Sequence, residues 1–229
     1  MTLRRISKVQ RFKCAVFDVD GTLLDTSEGL VSSIRYTVDK FGLAPLDDVT
    51  LRTFIGPPIQ DSFRRVYGFS DEVIRDLSAT FRARYKEEDL LKAKPYAGIF
   101  RLIREMRERG MEVAIATYKR QDYASRLLEH FGFDRYTDHI LGSDCEGKLK
   151  KKDIIELALR HAGIEHYSDA VMIGDSDNDA VGAKGIGTAF LGVTYGFGFR
   201  TKREVMEFGA MGAADTTEEI GKLLFGGQI

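Results

Sequence analysis

Two aspartate clusters, each closing a short apolar run, hold the side chains of this sequence best suited to chemistry. The first is Asp18-Val19-Asp20-Gly21-Thr22, directly after Cys14-Ala15-Val16-Phe17. Carboxylates at i and i+2 share one side of a strand, and a turn at Gly21 lets both approach one ligand. Like charges that close repel unless a cation or a proton intervenes. A divalent ion meets that need, and an all-oxygen donor set favours magnesium. Asp18 could then act as a nucleophile while Asp20, when protonated, supplies a proton to a leaving oxygen. A lone Asp-Gly is often only a turn whose carboxylates cap local backbone. The apolar run in front favours the chemical reading, because ligands of open α/β sheets bind at the carboxyl ends of strands.

The second cluster is Gly174-Asp175-Ser176-Asp177-Asn178-Asp179, after Ala170-Val171-Met172-Ile173. Asp175 and Asp179 stand four residues apart and face one point if the turn opens a helix. Alone, the stretch reads equally as a helix start stocked with favourable acids. A first acid pair that needs more metal ligands tips the balance. Thr117-Tyr118-Lys119 closes a further apolar run and offers a hydroxyl and backbone N–H groups, which a phosphate oxygen requires. Lys148, Lys150, Lys151 and Lys152 precede a helical pattern; any of them could neutralise phosphate, or the run could be solvated surface.

These residues need a scaffold, and the remaining sequence describes one. Apolar runs at 14–18, 111–117, 139–144, 170–175 and 187–193 suit strands buried on both faces, as in a parallel sheet. Helical stripes lie between them, such as Ile99, Leu102, Ile103 and Met106, stopped by Gly110. Alternating strands and helices predict a doubly wound α/β fold. From 27 to 94 the alternation lapses into helix after helix, predicted near 28–41, 46–54, 59–67 and 71–91, with turns at Gly42, Pro45, Gly56-Pro57-Pro58 and Gly68. The expectation is an all-α insertion at 27–94 within a core made of 1–26 and 95–229. A segment closing over a phosphate site would set specificity. Two parts of it can reach: the hinge Asp25 to Glu28, and the helix after Pro58, with Gln60, Arg64 and Arg65.

Bulk properties exclude several classes. The chain has 229 residues, 43% of them hydrophobic and 30% charged, the composition of a globular protein. A net charge of −1 makes no case for a nucleic-acid polymer or a membrane surface. The basic start (Arg4, Arg5, Lys8, Arg11, Lys13) has no apolar h-region behind it. Two cysteines, Cys14 and Cys145, suit a reducing compartment, and a cytoplasmic address is expected. Four scattered histidines include no pair at zinc-helix spacing.

Taken in order, these elements resemble the haloacid dehalogenase superfamily over nearly the whole chain. Its first motif, DxDGT, matches Asp18 to Thr22; its second, a strand-terminal Thr or Ser, matches Thr117. Its third, a lysine, matches Lys151 in Lys151-Lys152-Asp153-Ile154-Ile155, although Lys150 and Lys152 stand beside it. Its fourth, GDxxxD, matches Gly174-Asp175 through Asp179. The helical insertion looks like the small cap of the phosphoglycolate phosphatase and β-phosphoglucomutase branch. Phe54 to Pro58 and Gly192 to Gly198 are similar to bacterial proteins labelled phosphoglycolate phosphatase or 5′-nucleotidase.

The resemblance implies a phosphatase acting through an aspartyl-phosphate on a small phosphate ester, as a monomer or weak homodimer. It implies Mg2+ held by Asp18, Asp175 and the backbone carbonyl of Asp20, with Asp179 behind or as an extra ligand. Thr117, Lys151 and the loop at Gly21 and Thr22 would stabilise the transferring phosphoryl group. Tyr118, where relatives carry Asn or Ser, would reshape that wall. The rival readings are a sugar phosphomutase and a catalytically silent binding protein on the same fold.

Overall fold

A computed structural model describes residues 12–144 and 148–226; the basic stretch before Phe12 and Cys145 lie outside the described residues. The sheet begins with β1 (Cys14–Phe17), whose four side chains are all buried. Successive side chains of a strand point to opposite faces. Ala15 and Phe17 accordingly enter one apolar cluster and Cys14 and Val16 the other. The same division holds in β4 (Glu112–Arg120), with Val113 and Ile115 against Ala114 and Ala116, and in β6 (Ala170–Gly174), with Val171 and Ile173 against Ala170 and Met172. Two-sided burial removes polar alternation from such strands, so they read as continuous apolar runs.

With β5 (Ile140–Ser143), β7 (Ala189–Val193) and β8 (Gly212–Ala214), six strands among the described residues form one parallel sheet, ordered β5-β4-β1-β6-β7-β8. The doubly wound α/β expectation is met. Phe17 pairs with Ile115 on one side and Ile173 on the other, so the end of β1 lies level with those residues while β4 runs on to Arg120. The chain leaves β1 toward both edges, and a crevice opens beyond the carboxyl ends at that switch point.

Between β2 (Leu24–Asp25) and β3 (Lys94–Pro95) run four helices: α1 (Ser27–Lys40), α2 (Asp48–Arg52), α3 (Ile59–Tyr67) and α4 (Asp71–Arg84). β2 and β3 pair antiparallel and form a neck where the helical segment leaves and returns. Two-residue strands carry no alternation, so the sequence reading missed them. α4, expected to run on to Leu91, passes instead into a π-turn at Tyr85–Asp89 that buries both end residues. Asp89 there accepts from Ser33 Oγ at 2.8 Å and pairs with Arg84 (3.1 Å) and Lys92 (2.7 Å).

The remaining helices, α5 (Ile99–Glu108), α6 (Gln121–Phe131), α7 (Lys151–His161), α8 (Asp177–Ile186), α9 (Lys202–Glu207) and α10 (Thr217–Phe225), accompany the sheet. No helix among the described residues is long and apolar enough to cross a membrane. Cys14 is a free, fully buried thiol, pushed up to about 12 by that burial, which makes it core and not a reactive group.

Candidate active site

Asp18 is the first residue past β1, and its amide still donates to Ile173 C=O of β6 at 3.0 Å. That bond extends the ladder one residue and holds the Asp18 carboxylate over the switch point. Asp175 follows β6 directly, and Asp179 lies in the first turn of α8. One oxygen from each of Asp18, Asp175 and Asp179 lies within 4.8 Å of the others, and all three residues are buried. Each is separately braced. Asp175 Oδ2 accepts from the amides of Phe197 (2.6 Å) and Gly198 (3.0 Å). Asp179 Oδ2 accepts from Ser176 N (3.1 Å) and Ser176 Oγ (2.7 Å) in a capping box that starts α8.

The single buried cation at the cluster is Lys151, among the described residues. Its ammonium lies 2.6 Å from Asp18 Oδ1 and 2.7 Å from Asp179 Oδ1. Lys148, Lys150 and Lys152 are exposed, and none of the three lines the cleft described below. Lys151 opens α7, where its amide donates to Tyr118 Oη at 2.9 Å. Tyr118 thereby pins the start of that helix to the end of β4.

Three carboxylates around one ammonium leave the cluster short of positive charge. Burial pushes Asp18 up to about 7 against the pull of Lys151, with repulsion from Asp179, Asp175 and Asp20 added. Burial, then the charge of Asp179, likewise raises Asp175 to about 7 against the Phe197 and Gly198 amides. Burial works against the charge on Lys151, but Asp179 and Asp18 outweigh it and raise its pKa. Such a set fits a hard divalent cation, whose charge would remove the repulsion and whose ligands are oxygens.

Glycines let the backbone close tightly around Asp175. A Cβ at Gly21 would lie 2.2 Å from Asp175 Oδ2, and one at Gly196 would lie 2.4 Å from the same atom. Gly21 also holds φ at +83°, the left-handed region. Thr22 is fully buried with no partner for its hydroxyl among the described residues, and its carbonyl accepts from Tyr195 Oη at 3.0 Å. Thr117, expected to end its strand, is buried within β4, which runs on to Arg120 past a register shift, and its hydroxyl accepts from the Lys119 amide at 3.2 Å.

Asp20 is engaged apart from the other three. Its Oδ1 accepts from Thr26 Oγ1 at 2.5 Å and lies 3.1 Å from the Lys119 ammonium. The sequence by itself assigns Lys119 no part, because its partner Tyr85 is 34 residues away in the helical segment. Burial disfavours the Lys119 charge, yet Asp20 and then Tyr85 outweigh it and raise its pKa.

Over these groups lies a cleft of about 920 Å³ bounded by both the sheet and the helical segment. Asp18, Asp20, Thr117, Lys151 and Asp175 line its floor. Gln60 lines it from α3, and its Oε1 accepts from Arg82 at 2.9 Å. Arg64 does not reach it. One helical turn further along α3, its guanidinium is turned outward to Asp61 (3.2 Å) and Asp71 (2.8 Å) and is exposed. Arg65 is also directed away, onto Thr53 O at 2.8 Å, and in the hinge Asp25 caps Ser27.

Residues 15–193 match the family model described as haloacid dehalogenase-like hydrolase. The chain is 34% identical over 188 residues to a 5′-nucleotidase of Pseudomonas aeruginosa, covering 82% of this chain and 85% of that protein. It is 30% identical over 202 residues to a phosphoglycolate phosphatase of Agrobacterium fabrum, covering 86% and 84%. The crystal structure of a predicted phosphatase from Clostridium acetobutylicum superposes with a TM-score of 0.83 at 34% identity, over 93% of this chain and 97% of that one. With its aspartate cluster at the sheet's switch point, the chain is an enzyme and belongs to the haloacid dehalogenase-like hydrolase family.

Proposed function

We propose that this chain is a magnesium-dependent phosphatase that hydrolyses a small phosphate monoester through a phosphoryl group carried on Asp18. The observation that carries this reading is the cluster of Asp18, Asp175 and Asp179 around the Lys151 ammonium at the end of β1. An Asp18 oxygen attacks phosphorus as the bond to the leaving oxygen breaks, and Asp20 gives that oxygen its proton. Asp20 then takes a proton from the water that attacks the phosphoryl group, releasing phosphate and restoring Asp18.

Lys151 and the Thr117 hydroxyl hold charge on the transferring group, together with backbone N–H groups of the loop at Gly21 and Thr22. Asp18, Asp175 and the Asp20 carbonyl would hold the magnesium ion, with Asp179 behind them. When bound, that ion supplies a Lewis acid that offsets the negative charge of phosphate and carboxylates. Monoester hydrolysis is among the slowest uncatalysed reactions, which is why so much charge must converge on one group.

Residues 27–94 act as the cap and 1–26 with 95–229 as the core; cap closure excludes water and inspects the leaving group. The substrate class is a phosphorylated small metabolite, phosphoglycolate or a 5′-nucleotide. The sequence kinship with a phosphoglycolate phosphatase and a 5′-nucleotidase supports this choice. The test is phosphate release from a panel containing both classes, with magnesium and with excess chelator. Magnesium-dependent turnover of at least one member is expected, and undiminished turnover in chelator would falsify the scheme.

A further inference from the structure

We propose that Lys119 is a positioning residue that turns one oxygen of Asp20 toward the leaving group, and that Tyr85 makes this depend on the seating of the helical segment. The inference rests on the part assigned to Asp20 above and adds to it. The two oxygens of Asp20 are treated unequally. Oδ1 takes both the Thr26 hydroxyl at 2.5 Å and the Lys119 ammonium at 3.1 Å. Oδ2 has no protein partner among the described residues, while Asp20 itself lines the cleft. A carboxylic acid anchored through Oδ1 carries its proton on Oδ2. It delivers that proton as the P–O bond breaks and is left as a carboxylate facing Lys119.

The anchor is costly for a merely structural contact. The Lys119 side chain is only 6% exposed, and burying an ammonium disfavours folding unless close partners repay it. Its other partner is Tyr85 Oη at 2.9 Å. Tyr85 belongs to the π-turn after α4, is 2% exposed, stacks on Phe81 at 5.7 Å and meets Tyr123 edge-on at 6.0 Å. The turn that departs from regular α-helix is thus the one that brings a hydroxyl from the helical segment onto the cation behind Asp20. π-Turns inside helices recur at functional positions for this reason: the extra residue re-aims a side chain.

The experiment measures kcat/KM for an alkyl phosphate and for p-nitrophenyl phosphate in Lys119→Met, Tyr85→Phe and Asp20→Asn. This parameter covers steps up to phosphoryl transfer, so the later work of Asp20 on water does not enter. The alkoxide needs a proton as it leaves, whereas p-nitrophenolate is a stable anion and needs none. Lys119→Met should lower kcat/KM for the alkyl ester by about 10–100-fold, the scale of a misplaced catalytic group, and for the aryl ester by less than about threefold. Tyr85→Phe keeps the ring and the core volume, and should move the ratio of the two in the same direction by about two- to fivefold. It decides the matter if Lys119→Met does not fold. A purely structural contact would lower both esters equally, and equal losses in folded Lys119→Met overturn the proposal. Asp20→Asn separates the two readings. If it also leaves the ratio unchanged, the assignment of Asp20 as the acid falls and this proposal with it. If Asp20→Asn shifts the ratio and Lys119→Met does not, only the positioning role is lost.

Discussion

Asp18 sits 2.6 Å from a buried ammonium and within a buried group of carboxylates, so its oxygen is held in place before any substrate arrives. Asparagine has nearly the same shape but neither the charge nor the nucleophilicity. Asp18→Asn should therefore fold normally and lose at least about 10³-fold in kcat, because in the proposed scheme every later step depends on the bond Asp18 forms. Phosphate release measured on the purified variant checks this; a tenth of the parent rate would mean another group attacks phosphorus. Gly21 makes a different demand. Its φ of +83° and the 2.2 Å between a built Cβ and Asp175 Oδ2 leave no space for a methyl group. Gly21→Ala should cost about 1–3 kcal/mol in urea unfolding and weaken the response to magnesium, since the displaced atom is a carboxylate oxygen of the cluster.

The helix α3 separates two residues that the sequence treats alike. Gln60 and Arg64 are four apart and would share a face, and both were expected to reach the substrate. Gln60 lines the cleft and is held by Arg82, whereas Arg64 finds Asp61 and Asp71 on the solvent side. A long, charged side chain follows the nearest carboxylates and water in preference to a half-enclosed cleft. Gln60→Ala is accordingly expected to change the preference between the best natural ester and p-nitrophenyl phosphate by about 1–3 kcal/mol in kcat/KM. Arg64→Ala should leave that ratio within about twofold, since exposed ion pairs contribute little. Steady-state kinetics on the two esters distinguishes the variants, and a large shift in Arg64→Ala alone would reverse the assignment.

For the molecule as a whole, the buried carboxylates link stability to pH and to cations. Asp18 and Asp175 hold a proton up to about pH 7 in the folded chain, against 3.8 as the ordinary value. Between those values the folded state binds more protons than the unfolded one, so stability falls as pH rises. The stabilisation is complete below the unfolded value and is lost on passing the folded one. Carboxylates held low by partners, such as Asp169 beside Lys13, act in the opposite sense but below this window. In chelator, the melting temperature should drop between about pH 5 and about pH 8. Added magnesium should raise it most at the alkaline end, where the carboxylates are ionised and bind the cation without displacing protons. Thermal unfolding at both pH values, with and without magnesium, gives the answer; a cation effect larger at acid pH would contradict it.

The central strands were legible because burial on both faces of a parallel sheet removes polar residues from them, and the two acid motifs were legible because each follows such a strand directly. Strands with two or three residues, at Leu24–Asp25, Lys94–Pro95 and Gly212–Ala214, are too short to show a period and emerged only from their pairing. Composition and order alone thus determined an α/β sheet with two acid clusters at strand ends and a helical run after the first. Which lysine enters the cluster was decided by tertiary structure: Lys150, Lys151 and Lys152 are chemically identical, and the start of α7 under Tyr118 buries only Lys151. The same holds for Lys119, which became visible as a partner of Asp20 once a π-turn brought Tyr85 back across the neck. Local pattern specifies what a segment can form, because period and burial are local properties. Which long side chain wins a buried charge depends on groups far apart in sequence, and only the folded chain brings those together.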